Sequence, residues 1–455
     1  PTGAITQTEW YSVGGGEAGY VAVKPDDPNI VYAAHSGGGP LSRYDRRTGQ
    51  GHDVRINPER ISNLEPEKQE YRFQWTFPII ISHHDPDVIY ATGNHVFRST
   101  ENGTSWDEIS PDLTRNDLPA ATASYGAPVE GLPPCTIFTF DESKVQKGVL
   151  WAGSDDGLIH VSTNNGDTWE NVTPKEIPEW SLVSIIDPSP HDPASAYIAV
   201  TAYKLHDNSP YLFKTTDYGK TWTKITNGIP DNDFTRVIRE DPETKGLLFA
   251  GTETGIYVSF DDGANWQSLQ LNLPVVPIHD FVIKEDDLVV ATHGRAFWIL
   301  DDISPLRELN SDVTEKSSHI FTSKDGYRFP MWRSLRPDAS SVPGMNYDRG
   351  SGPVVFSWFT EKDAQDNLVS QTYLDAGENP PDGVIICYSL NTEPKGTIKL
   401  KIVDSRGRVV NNYQSKEEGA TSSPPFLQKV QGMNRFVWDM REMGADTVPG
   451  DKSVG

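Results

Sequence analysis

The chain has 455 residues, with 40 Lys and Arg against 64 Asp and Glu and a formal net charge of −24. A surface this acidic argues against a nucleic-acid partner, whose phosphates need basic neutralisation, and against adhesion to anionic membranes. No run approaches the roughly 18 apolar residues of a membrane-spanning helix, and two cysteines, Cys135 and Cys387, are too few and too far apart for a disulfide framework or a Cys-based zinc site.

Only 36% of residues are hydrophobic, while 38 Gly, 34 Pro, 12 Trp and 17 Tyr are present. Turn formers and strand-favouring aromatics in these proportions indicate an all-β fold. The chain opens at Pro1 without an initiator Met, as a piece of a longer protein would. Trp10-Tyr11-Ser12-Val13 has the pattern of an outer strand and is expected to close a ring against the last repeat.

Repeats then follow in series. Asp27-Pro28 precedes the short apolar strand Ile30-Val31-Tyr32-Ala33, and residues 43–49 form a turn. Asp85-Pro86 precedes Val88-Ile89-Tyr90-Ala91, followed by the turn 99–106; Lys147-Gly148 precedes Val149-Leu150-Trp151-Ala152 and the turn 162–169. Asp192-Pro193 leads to Ala196-Tyr197-Ile198-Ala199 and the turn 215–222, and Asp241-Pro242 to Leu247-Leu248-Phe249-Ala250 and the turn 259–266. The last copy, Asp286-Asp287-Leu288-Val289-Val290-Ala291, runs into 296–302 without such a turn.

The four turns share one pattern: a hydroxyl, an acid or amide two residues on, Gly103, Gly166, Gly219 or Gly263, and Trp106, Trp169, Trp222 or Trp266. The carboxylate or amide can bond the turn's N–H groups, Gly takes a positive φ, and Trp packs the turn onto a sheet. This is the Asp-box, or BNR repeat. Each repeat is expected to be a four-stranded blade, giving a β-propeller of six blades over residues 17–303, with seven as the alternative. The expected domains are a propeller over 1–309, an irregular wrap over 310–375, and a small immunoglobulin-like β-sandwich, cut short, over 376–455.

Val13-Gly14-Gly15-Gly16-Glu17, Tyr71-Arg72-Phe73-Gln74-Trp75-Thr76-Phe77-Pro78, Ala291-Thr292-His293-Gly294-Arg295-Ala296-Phe297-Trp298 and Asn434-Arg435-Phe436-Val437-Trp438-Asp439 resemble a family of large bacterial secreted proteins with Asp-box propellers, described as sortilin-like or glycosyl-hydrolase-like. The resemblance implies a secreted or periplasmic protein, a further propeller upstream in the same polypeptide, and no fixed activity.

Propeller topology places the a–b and c–d turns on one face and the d–a connections and b–c tips on the other. The second face is where ligands of such folds generally sit. It is expected to present Arg72, Trp75, Trp180, Arg236, Asp280, His293 and Arg295 as ligand-binding residues, because Trp can stack on a sugar ring while charged groups bond its hydroxyls. Against this, Trp75 and Trp180 also fit blade core, and the arginines also fit structural pairs with nearby carboxylates. Asp155-Asp156-Gly157 reads as a hairpin turn. The histidines at the tips have no metal-ligand spacing, so neither a metal nor a cofactor is expected. The function expected is a non-catalytic binding module for a glycan or protein partner. The alternative is a glycoside hydrolase with a xyloglucanase-like inverting mechanism, or a lyase, using Glu17, Glu179, Asp233 or Asp280 as its carboxylates.

Overall fold

The computed structural model describes residues 11–17, 19–35, 39–57, 69–125, 134–327, 342–349, 355–366, 368–373, 381, 383–416 and 425–442. The chain divides into two units, Tyr11–Ile299 and a second made of Leu300–Gly455 with Pro1–Trp10.

In the first unit, six antiparallel sheets of described residues follow one another, the first five running in chain order from strand a to strand d. Sheet I comprises β1 (Val21–Val23), β2 (Ile30–Ala34), β3 (Leu41–Asp45) and β4 (Gln50–Asp53). Sheet II comprises β5 (Ile79–Ile81), β6 (Ile89–Thr92), β7 (Val96–Ser99) and β8 (Asp107–Glu108), and is followed by helix α1 (Leu118–Tyr125). Sheet III holds β9 (Ile137–Glu142), β10 (Leu150–Ser154), β11 (Ile159–Ser162) and β12 (Glu170–Asn171). Sheet IV holds β13 (Leu182–Pro188), β14 (Ala196–Ala202), β15 (Asp207–Thr215) and β16 (Thr223–Lys224). Sheet V is β17 (Thr235–Glu240), β18 (Leu248–Thr252), β19 (Ile256–Ser259) and β20 (Gln267–Ser268). Sheet VI has three strands among the described residues: β21 (Ile278–Lys284), β22 (Asp287–Thr292) and β23 (Phe297–Leu300).

The a strands of successive sheets pack on one another, β1 on β5, β9 on β13, β13 on β17 and β17 on β21. This is an all-β propeller. Their inward side chains meet around the axis, where Arg239 lies 3.1 Å from Asp280 and 3.6 Å from Asp187; Asp141 of β9 lies 2.9 Å from His83, just past the end of β5. Strands β2, β6, β10, β14 and β18 are buried along their whole length, since both faces of a blade are covered by its neighbours; their apolar runs follow from that. The d strands β4, β8, β12, β16 and β20 are exposed at the rim.

All four repeated turns are c–d hairpins with one geometry. The hydroxyls of Ser99, Ser162, Thr215 and Ser259 accept the glycine N–H four residues on at 2.8, 2.9, 2.9 and 2.9 Å. The carboxylate or amide oxygen of Asn164, Asp217 and Asp261 accepts a second N–H at 3.0, 2.9 and 2.8 Å. Each indole then reaches the preceding sheet: Trp106, Trp169, Trp222 and Trp266 donate to the carbonyls of Val54, Ile109, Val172 and Ile225 at 2.9, 2.8, 2.7 and 2.7 Å. The glycines fit against those same four residues; a Cβ on Gly219 would fall 2.7 Å from Val172. Trp266 is buried at 5% exposure, while Trp106, Trp169 and Trp222 are half-buried.

The same face carries a second interlock that sequence inspection did not single out. Ser82 donates to Glu142 and Ser189 to Glu240, each at 2.5 Å, and His84 and His191 bond the carbonyls of Ser143 and Asp241 at 2.7 and 2.8 Å. Each pair joins one sheet to the next. Trp10, expected in a closing strand, lies outside the described residues. Tyr11, expected beside it, forms no ladder and instead stacks on Tyr44 of β3 at 6.2 Å.

The second unit begins with helices α2 (Ser304–Glu308) and α3 (Ser311–Thr314). Strand β24 (Ser318–Ile320) pairs with β28 (Val384–Leu390), which pairs with β31 (Gly432–Trp438); β29 (Lys399–Val403) and β30 (Val409–Gln414) form a hairpin. Leu400, Ile402 and Tyr413 of the hairpin pack on Ile386, Tyr388, Leu390 and Phe436 of that sheet. Residues 310–375, expected to be irregular, instead contribute β24 and the meander β25 (Gly344–Arg349), β26 (Val355–Lys362) and β27 (Leu368–Tyr373). A short motif recurs at two strand starts, Val342-Pro343-Gly344-Met345-Asn346 and Val430-Gln431-Gly432-Met433-Asn434. In both, the Asn amide bonds the carbonyls four and two residues before it, at 2.8 and 2.9 Å for Asn346 and 2.8 and 3.0 Å for Asn434.

Candidate functional site

The face opposite the repeated turns is built from a-strand starts and b–c tips, and one device recurs there. In sheets IV, V and VI the a–b register skips a residue, leaving Ser184, Arg236 and His279 as the extra residue of a β-bulge. A bulge re-aims a side chain out of the alternating pattern. Ser184 donates 2.6 Å to the Arg236 carbonyl, fixing the start of β17 against sheet IV.

Arg236 then lies over aromatic rings, 4.9 Å from the centroid of Phe234 and 5.6 Å from that of Tyr203, which themselves stack at 5.0 Å and 19°. Its Nε and Nη2 both donate to Glu253 Oε2, at 2.9 and 2.6 Å. Tyr203 opens the 3₁₀ turn Tyr203–Leu205 at the tip of sheet IV, which His206 closes with φ of 62°. Next to Arg236, His279 meets His293 edge to face at 4.7 Å. Both imidazoles are exposed. Partial burial and the positive charges of Arg236 and His293 hold His279 below the usual histidine range. The result is an open shelf from three sheets: two stacked aromatics, a guanidinium paired to a carboxylate, and two imidazoles.

The other expected residues lie apart from this shelf. Asp280 pairs with Arg239 near the axis. Arg295 is exposed in the tip that carries His293, and its carbonyl accepts the Trp298 indole at 2.9 Å. Arg72 is only 4% exposed and donates 2.7 Å to Asp112, with Nε on the Cys135 carbonyl at 3.3 Å; it is an internal tie between sheets II and III. Trp75 is half-buried. Trp180 takes a positive φ of 65°, packs on Leu118, Ala121 and Cys135, and carries the Arg115 guanidinium 5.4 Å from its ring. Glu17 is exposed, and Glu179 is exposed 3.7 Å from Arg115. Asp233 is buried, with Oδ2 accepting from Thr252, Thr254 and Tyr257 at 2.8, 2.7 and 3.2 Å.

Asp155, read as part of a hairpin turn, is in a turn and does more. Its carboxyl accepts from Thr136 N at 2.8 Å, Thr136 Oγ1 at 2.9 Å and Gln74 Nε2 at 3.2 Å. Burial, reinforced by the neighbouring Asp156 carboxyl, pushes it up to about 7. Tyr203 and Phe234 went unremarked, although a signal was present. Asp192 and Thr215 are 23 residues apart, against 14 for Asp85 and Ser99 and 18 for Asp241 and Ser259, so the tip of sheet IV had to project.

No family model matches the chain. It is similar to a xyloglucanase of Acetivibrio thermocellus, 24% identical over 218 residues that make up 43% of this chain and 25% of that protein. A vacuolar protein sorting/targeting protein 10 of Laccaria bicolor is 30% identical over 122 residues, 26% of this chain and 7% of that protein. Among solved structures, the GH74 xyloglucanase of Xanthomonas campestris matches with a TM-score of 0.44 at 17% identity, covering 62% of this chain and 44% of that one. The chain spans about a quarter of the length of the curated xyloglucanase it matches.

Proposed function

We propose that this propeller is a binding module whose mouth takes a glycan on the shelf formed by sheets IV, V and VI. The observation that carries this reading is the Tyr203–Phe234–Arg236 stack beside Glu253. A half-exposed aromatic face suits the C–H face of a pyranose, and a guanidinium paired with a carboxylate offers donors and acceptors to ring hydroxyls. The reading places the protein outside the cytoplasm, secreted or periplasmic, where polysaccharides are met. Among the described residues, no helix is long and apolar enough to cross a membrane. Calorimetric titration with an oligosaccharide panel tests it. Tyr203→Ala is expected to weaken binding about tenfold or more while leaving the melting temperature nearly unchanged. A panel in which no saccharide binds in a Tyr203-dependent way rejects the reading.

The hydrolase reading is favoured by one observation, the Asp155 carboxyl held near neutrality, as a general acid must be. It requires release of reducing ends from a polysaccharide and loss of that release in Asp155→Asn.

A further inference from the structure

We propose that the mouth selects saccharides bearing a carboxylate, seating a uronate group against the His279–His293 pair while the sugar face lies on Tyr203. This rests on the glycan-binding reading above and names the class of glycan. Against a net charge of −24, the shelf itself sets basic groups beside Glu253. Arg236, His279 and His293 gather at two neighbouring sheets, and Lys204 stands beside Tyr203 in the tip of the third.

The acids around the pair are already engaged. Glu253 is bonded by Arg236, and Asp280 by Arg239. Two exposed imidazoles therefore face each other at 4.7 Å with a guanidinium nearby, and among the described residues no carboxylate is hydrogen-bonded or ion-paired to either. The groups acting on His279 are Arg236 and His293, which oppose its protonation, and Glu253 and Asp280, which favour it more weakly than burial and the cations oppose it. Left empty, His279 resists charging. A carboxylate placed there reverses the balance, so binding takes up protons and strengthens as pH falls through the histidine range.

Trigalacturonate and a neutral trisaccharide of the same length are the probes, titrated by calorimetry at pH 5.5 and 7.5 in two buffers of different ionisation enthalpy. Trigalacturonate is expected to bind roughly tenfold or more tightly at the lower pH, with net proton uptake. His279→Gln and His293→Gln, both at exposed positions, are expected to keep the melting temperature, abolish the proton uptake and flatten the pH dependence. Equal affinity for the neutral trisaccharide, or proton uptake that survives both variants, overturns the proposal. A neutral saccharide that binds in a Tyr203-dependent way while trigalacturonate does not overturns it and leaves the glycan reading standing. If a peptide ending in a free carboxylate shows the same pH dependence and trigalacturonate does not bind, the uronate assignment is wrong.

Discussion

The two faces of the propeller are made by the same strands and differ in kind. On the face of the a–b and c–d turns, four hairpins repeat one set of bonds, with hydroxyl-to-glycine distances of 2.8 to 2.9 Å and every indole on a neighbour's carbonyl. On the mouth face the tips of sheets IV, V and VI present different groups. Sheet IV projects a 3₁₀ turn, sheet V presents a charged pair, and sheet VI a pair of histidines. Repetition belongs to the side that holds the blades together, and divergence to the side that can meet a ligand.

The comparison breaks most readily at Trp266. Its indole is 5% exposed and bonded to Ile225, so Trp266→Ala is expected to cost about 3–5 kcal/mol in urea unfolding, and half-buried Trp222→Ala less. Asp155 sharpens the contrast from the other side, because it sits on the mouth face and is locked in place. Its folded-state pKa of about 7 lies above its ordinary value of 3.8, so the folded protein holds a proton that the unfolded chain releases. That contribution is fully present below about pH 4 and is lost as pH rises to 7, roughly 4 kcal/mol in all. Unfolding measured across that range should show Asp155→Asn lacking this downward slope.

A matched pair of glycines compares the faces directly. Gly219 has φ of 80° and Val172 pressed against it, whereas Gly294 at the mouth has φ of 93° and open space around the position of a Cβ. Gly219→Ala is expected to lower stability by about 2–3 kcal/mol and Gly294→Ala by about 1 kcal/mol, read as shifts in the denaturation midpoint. Smallest is Arg236→Ala. Its pair with Glu253 is partly solvated, so the expected loss is under about 1 kcal/mol, with the effect appearing in ligand binding instead.

The repeated face was legible in the sequence because its bonds are local. A hydroxyl, a glycine four residues on and a tryptophan at fixed spacing specify the hairpin whatever surrounds it. The mouth was legible only in outline. That Arg236 and His293 would stand near each other follows from the blade pattern, but the bulge that turns Arg236 and His279 outward is a property of register against β18 and β22. Arg72 shows the converse: a d–a arginine in every local respect, it is drawn inward by Asp112, 40 residues away in the chain. Trp180 likewise takes its place from helix α1 and a positive φ, neither of which its neighbours announce. Burial against a distant partner is the part of the site that local pattern does not encode.

The indole bonds have a direction. Each carbonyl that receives a tryptophan belongs to the preceding sheet and lies 41 to 60 residues earlier in the chain, so the socket is always made before its plug. A polypeptide leaving the ribosome amino end first can seat each new blade on the one already finished, without waiting for the carboxyl end. The uncovered blade faces during growth are then those of the first blade and the newest.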